Sequence, residues 1–106
     1  MKNISVSELK EMMDRGEAIH LIDVREPHEY AEAHIAGSQL FPLGKIQTMQ
    51  VDELEEFKDE PVYLQCRSGH RSMMAAMVLE QLGFKDTYNV VGGILAWKEK
   101  GFPVSQ

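Results

Sequence analysis

Cys66 is the only cysteine of this chain, and Arg67, Ser68, Gly69, His70, Arg71 and Ser72 follow it directly. A thiol on a short glycine-containing stretch, beside two arginines and a histidine, is placed to ionise. The thiolate, not the thiol, is the nucleophile, and a free cysteine of pKa about 8.5 is mostly protonated at neutral pH. Lowering that value by about two units takes roughly 2.7 kcal/mol of selective anion stabilisation. A helix N-terminus supplies about 0.3–1 kcal/mol, rising to about 2 when partly buried. Inward-facing backbone N–H groups and a nearby guanidinium can supply the rest. Gly69 fits that scheme, because a loop that folds its amides inward needs a residue tolerant of unusual dihedrals. The competing reading is a small buried hydrophobe, the commoner fate of a lone cysteine. The flanking cations and a strand–loop–helix setting favour the nucleophile.

That setting follows from the pattern of elements. Pro61 to Gln65 reads as a strand running into Cys66. Ser72 to Leu82 reads as a helix with Met74, Met77, Val78 and Leu82 on one face and Gly83 as its stop. Upstream, Ile4 to Val6 suits a short edge strand, and Ser7 an N-cap for a helix through Leu9, Met12 and Met13, ended by Gly16. Ala18 to Val24 is a mostly apolar strand, as expected where both faces are covered. Pro27 opens a helical turn through Ala33, and Gln39 to Phe41 is extended. The stretch from Leu43 to Phe57 is ambiguous, helical from Val51 onward. Thr87 to Val91 is a strand, and Ile94 to Lys100 a helix ended by Gly101 and Pro103. Strands separated by helices predict an α/β fold with a central parallel β-sheet flanked by helices. Ligands of such sheets bind beyond the carboxyl ends of the strands. Cys66 belongs at that edge, with Asp23 and Gly92-Gly93 expected beside it.

Composition narrows the function classes. At 106 residues the chain is expected to be one domain, 1–106, with 43% hydrophobic and 26% charged residues. A net charge of −6 argues against a general nucleic-acid binder, so Arg67, His70 and Arg71 form a local basic spot suited to a small anion. No stretch is long and apolar enough for a membrane span or signal peptide, and one cysteine makes no internal disulfide, so the expected location is cytoplasmic.

Three separated motifs identify a resemblance. The first is Leu21-Ile22-Asp23-Val24-Arg25-Glu26-Pro27-His28-Glu29-Tyr30, continuing to His34-Ile35-Ala36-Gly37-Ser38. The second is Cys66 to Ser72, and the third is Gly92-Gly93-Ile94-Leu95-Ala96-Trp97, closing with Gly101-Phe102-Pro103-Val104. In this order they resemble the rhodanese family of sulfurtransferases, as a stand-alone single rhodanese domain. The resemblance implies a three-layer rhodanese-like fold and a two-step transfer of sulfane sulfur. Cys66 takes sulfur from thiosulfate or a persulfide donor, then yields it to cyanide, a thiol or a protein thiol. It implies no cofactor and no general base, and a sulfur-carrier protein as a possible partner. Arg67 and Arg71 are candidates to bind a dianionic donor, and His70 either adds a donor or sits in solvent. Related phosphatases and arsenate reductases use a loop one residue longer. The six-residue loop from Cys66 to Arg71 matches the sulfur-handling members. The alternative is a sulfur-relay or regulatory binding module with little free turnover, and a phosphatase is a distant third.

The remaining residues have quieter readings. The resemblance makes Asp23 and Arg25 an acidic–basic pair that supports loops rather than a catalytic couple. His34 is expected to be hydrogen-bonded and structural, and His20 a satisfied histidine in its strand. His20, His28 and His34 make no convincing ligand cluster, so no metal is expected. Trp97 is a core anchor, the methionines at helical spacing are core, and Asp52-Glu53-Leu54-Glu55-Glu56 is a solvated helix face. Ala33, Ala36 and Phe41 depart from the family's commoner residues. A monomer is expected, since no apolar interface is apparent.

Overall fold

The computed structural model describes residues 1–106. Five strands form one all-parallel sheet: β1 (Lys2–Ile4), β2 (His20–Asp23), β3 (Gln39–Leu40), β4 (Pro61–Gln65) and β5 (Asp86–Val90). Their order across the sheet is β1-β5-β4-β2-β3, so the strand that leads into Cys66 is central. Around it lie α1 (Val6–Asp14), α2 (Pro27–Glu32), α3 (Leu43–Gln47), a 3-10 turn at Asp52–Phe57, α4 (His70–Gln81) and α5 (Gly93–Glu99). The α/β expectation of a parallel sheet between helical layers holds.

Side-chain alternation along the strands builds the two layers. Val62, Leu64 and Cys66 on one face of β4 join Ile22 and Val24 of β2 under α3, the 3-10 turn and α4. Tyr63 on the other face joins Leu21, Ile4 and Val90 under α1 and α5, where Leu9, Ile94 and Trp97 are buried. Each fully buried side chain of this size contributes about 1.5–3 kcal/mol. Most of the stability is therefore placed in these layers, leaving the loops at the carboxyl edge free to hold polar groups. Trp97 is the anchor expected of it: it is 1% exposed and its Nε1 donates to Pro103 O at 2.8 Å.

Several local expectations are corrected or refined. The strand predicted at Ile4–Val6 lies at Lys2–Ile4, and the cap of α1 is Ser5 rather than Ser7. Ser5 Oγ accepts from Glu8 N and Glu8 Oε1 accepts from Ser5 N, both at 3.0 Å. That reciprocal capping box outcompetes Ser7, which has no glutamate or glutamine three residues on. The helix predicted from Ser72 begins at His70, because Gly69 takes the N-cap with φ of 107°. Its core face is also different. Met77 is 53% exposed, while Ser72, Ala75, Ala76 and Leu79 are buried, with Met74, Val78 and Leu82 along the margin. Small residues bring α4 close to the sheet and displace the larger Met77 outward. Finally, the ambiguous stretch resolves into α3 at Leu43–Gln47 and the 3-10 turn, where Leu54 is buried and Asp52, Glu53, Glu55 and Glu56 face solvent.

Candidate active site

Because all five strands run the same way, Asp23, Gln65 and Val90 end at one edge, and Cys66 follows there. Its side chain continues the β4 alternation into the α4 layer and is 1% exposed. The chain then turns through Arg67, Ser68 and Gly69 into the first turn of α4. Gly69 N–H donates to Cys66 Sγ at 3.1 Å, and Ser72 Oγ lies 3.4 Å from the same sulfur. Ser72 is fully buried and donates to Asn89 Oδ1 of β5 at 2.6 Å.

The loop is held from behind by α5. Ile94 N–H donates to Cys66 O at 2.9 Å and Leu95 N–H to Arg67 O at 3.1 Å, and Gln65 Nε2 adds a bond to Cys66 O at 2.7 Å. The first amides of a helix have no partner within it, so α5 is capped by the carbonyls of the cysteine loop. A trans peptide sets its N–H opposite its C=O, so the bond to Arg67 O turns the Ser68 amide toward the sulfur. This close approach requires glycine at position 93. A Cβ there would stand 2.4 Å from Cys66 O and 2.5 Å from Arg67 O, and its φ is 55°.

Two opposed effects act on the thiol. Burial pushes Cys66 up, while the Ser72 hydroxyl and the amides of Ser72, Gly69 and Ser68 act the other way and bring it below its ordinary value. The stabilisation of the anion is local hydrogen bonding more than a remote charge.

The cations are divided. Arg67 and His70 are exposed and make no ion pair. Arg71 is clamped by Glu29 of α2, with Nη1 donating to Oε1 at 2.7 Å and Nη2 to Oε2 at 2.9 Å. The guanidinium holds the Glu29 carboxyl well down, to about 2, and is itself raised by that carboxylate. Asp23 and Arg25 are also together. Asp23 is fully buried and accepts from Arg25 N, Nε and Nη2, and Arg25 Nη2 reaches Ala33 O at 2.7 Å. That pair ties the end of β2 to the end of α2. His34, as expected, is structural: its Nδ1 bonds Tyr30 O at 2.9 Å and its ring stacks on Tyr30. His20 stacks on Phe57 and meets Glu60.

A cleft of about 230 Å³ opens beside the loop, lined by Arg25, Glu29, Ala33, Arg67, Ile94 and Lys98 among others. A second hollow of about 200 Å³, between Met13, Ile19, Leu21 and Ala36, has no part of the cysteine loop in its wall. The first adjoins the cysteine loop through Arg67, and the buried Cys66 is not in its wall. Sequence reasoning brought the Cys66 loop, Asp23, Arg25 and Gly92-Gly93 to this edge. It did not single out Glu29, Gln65 or Asn89. Asn89 carried no clear signal, because β5 is already largely polar, with Asp86, Thr87 and Asn89 among its five residues. The Glu29–Arg71 pair spans 42 residues and had no local signature.

Residues 5–100 match the family described as "Rhodanese-like domain". The chain is 40% identical over 97 residues to "Putative sulfur carrier protein YrkF" of Bacillus subtilis (strain 168), covering 92% of this chain. It spans only about half, 51%, of that relative's length. It is 40% identical over 103 residues to "Putative sulfurtransferase YtwF" of the same organism, covering 97% of this chain and 96% of the relative. Among solved structures, the rhodanese-like domain protein from Staphylococcus aureus superposes with a TM-score of 0.82 at 34% identity, covering 100% of both chains.

Proposed function

The chain belongs to the rhodanese-like domain family, in which its relatives are named for sulfur transfer and sulfur carriage, and on that premise we propose that it moves sulfane sulfur through a persulfide on Cys66. In the first step the Cys66 thiolate attacks the outer sulfur of thiosulfate. A sulfur–sulfur bond forms to Cys66 as the bond to the sulfonate breaks, and the electron pair leaves with sulfite. In the second step cyanide or a thiolate attacks the outer sulfur of the persulfide. That bond breaks, its electron pair returns to Cys66, and thiocyanate or a new persulfide departs.

The observation that carries this reading is the convergence of backbone N–H groups on one buried sulfur at the head of α4, with the Ser72 hydroxyl 3.4 Å from it. Such preorganised donors stabilise an anion at the sulfur position without reorganising during reaction. They make a general base unnecessary. Arg67, which has no carboxylate partner, supplies free positive charge at the cleft for an anionic donor. Arg71, with its charge balanced by Glu29, holds α2 against the loop and adds less net attraction. Ser68, Gly69, His70 and Ser72 complete the loop, and Asp23 and Arg25 support it from β2. The six-residue span from Cys66 to Arg71 favours a sulfur anion over a tetrahedral phosphate.

The test is Cys66→Ser, a near-isosteric change at a buried position. The thiosulfate:cyanide activity is expected to vanish while the melting temperature changes little. Full turnover in the variant would contradict the persulfide route. A relay role is the second reading, favoured by the relative named a sulfur carrier. It predicts a persulfide that forms on Cys66 but resists cyanide and passes only to a protein thiol.

A further inference from the structure

Ser72, Asn89 and Cys66 form a chain whose protons cannot satisfy every acceptor once the cysteine ionises. Ser72 Oγ stands 2.6 Å from Asn89 Oδ1 and 3.4 Å from Cys66 Sγ. A serine hydroxyl has one proton and two lone pairs. While Cys66 is a thiol the chain is complete: S–H donates to Ser72 Oγ and Ser72 O–H donates to Asn89 Oδ1. When the thiol loses its proton, two acceptors compete for the single serine proton. If Asn89 keeps it, the anionic sulfur faces a lone pair of Ser72. If the sulfur takes it, two oxygens are left 2.6 Å apart with no proton between them.

Turning the Asn89 amide by half a revolution resolves the conflict. Nδ2 then donates to Ser72 Oγ and Ser72 O–H donates to the thiolate. The two ends of a carboxamide are nearly the same size, so the turn changes the hydrogen bonds and not the packing. It also sacrifices no other bond. Asn89 Nδ2 has no protein acceptor, and it faces Gly69, 3.9 Å from where a Cβ on that glycine would stand. Asn89 itself cannot leave, since it is 7% exposed and its backbone is in register with Asn3 of β1 and Leu64 of β4.

We infer that Asn89 is a positioning residue: the orientation of its amide decides whether the Ser72 proton is available to the Cys66 thiolate. It acts through Ser72 and does not touch the sulfur. The inference rests on Cys66 being the reactive group, as proposed above, but needs no particular sulfur donor. The charged or titratable side chains brought to this edge are Arg67, His70 and Arg71 beside Cys66, Asp23 and Arg25 after β2, Glu29 and Glu32 from α2 and Lys98 from α5. None of them bonds Asn89.

The test is the pH dependence of Cys66 alkylation by iodoacetamide in the full chain, where the sole cysteine makes the signal unambiguous. Asn89→Asp offers only acceptors and keeps the serine proton, so its alkylation midpoint is expected about one pH unit or more above wild type. Asn89→Leu leaves the serine proton free for the sulfur, and is expected to shift the midpoint by less than half as much. In a Ser72→Ala background most of the difference between the aspartate variant and its own parent is expected to disappear. An equal shift in that background would show a through-space charge effect and overturn the inference. So would a leucine variant shifted as far as the aspartate one, which a merely structural role predicts. A measurement on the unmutated side chain covers the case in which Asn89→Asp does not fold. The Asn89 side-chain NH₂ resonances are expected to titrate with the alkylation midpoint in wild type and to be flat in Cys66→Ser. Resonances that stay flat in wild type contradict the inference. Alkylation and NMR both report ionisation, so a protein that ionised Cys66 this way yet carried no sulfur would leave Asn89's role standing and remove only the proposed function.

Discussion

Glu29 is the residue through which pH reaches this site from the acid side. Its carboxyl is held at about 2, against an ordinary value of 4.5, first by the hydrogen bonds from Arg71. A carboxyl depressed on folding stabilises the native state above its ordinary value and loses that contribution as pH falls through its folded value. The window is therefore from about 4.5 down to about 2. The pair is partly solvent-screened, with side chains 31% and 19% exposed, so its worth is about 1 kcal/mol rather than the full shift. Glu29→Gln is expected to lose about 1 kcal/mol of unfolding free energy at pH 7 in urea titrations, with the gap to wild type closing toward pH 2. A gap that persists at pH 2 would show that Glu29 acts by packing and not by charge. At this scale the sequence was informative about identity and less so about partners. Cys66 was legible because its type, its neighbours and its place before a helix all point the same way. Glu29 was not, because nothing local says that a glutamate on α2 faces an arginine on α4.

At the scale of elements, α5 does as much for the cysteine loop as α4 does. The loop supplies the N-terminal cap of α5, and α5 in return fixes which way the loop's peptides face. Gly92 and Gly93 separate two roles that the sequence merges into one tight turn. Both have positive φ, but a Cβ on Gly92 would meet Ala96 within its own helix at 2.6 Å, whereas one on Gly93 would meet the cysteine loop. Alanine at either position is expected to cost at least about 2 kcal/mol from left-handed strain and crowding. Only Gly93→Ala is expected to raise the pH midpoint of Cys66 alkylation as well. If the Gly93→Ala profile superimposed on wild type, α5 would be a packing element with no part in orienting the amides. Elements themselves were read well where one signal dominated, as in β4, β5 and α5. The errors at α1 and α4 came from competition: a capping box against a simpler serine cap, and a small-residue stripe against a methionine stripe.

The whole molecule couples these parts through one sheet. The α4 layer and the α1/α5 layer share the strands as a floor, β4 above all, and are joined again where α5 bonds the cysteine loop, so neither can unfold without exposing the other. Leu54 lies in the first layer and Trp97 in the second, and both are essentially buried. Leu54→Ala is expected to destabilise the fold by about 2–5 kcal/mol. Trp97 fluorescence and far-UV circular dichroism are expected to follow one transition, lowered equally for both probes. Two separated transitions would show that the layers unfold independently. The layered α/β plan was legible from alternation of strand and helix, while the strand order was not, because crossovers leave no mark on any one segment. These 106 residues hold one cysteine, so sulfur accepted on Cys66 has no second thiol among them to pass to. Intact-mass spectrometry after exposure to thiosulfate, followed by cyanide, tests this most directly. The account predicts a gain of one sulfur atom, confined to Cys66 and removed by cyanide. A chain whose mass is unchanged by thiosulfate and by persulfide donors alike would contradict it.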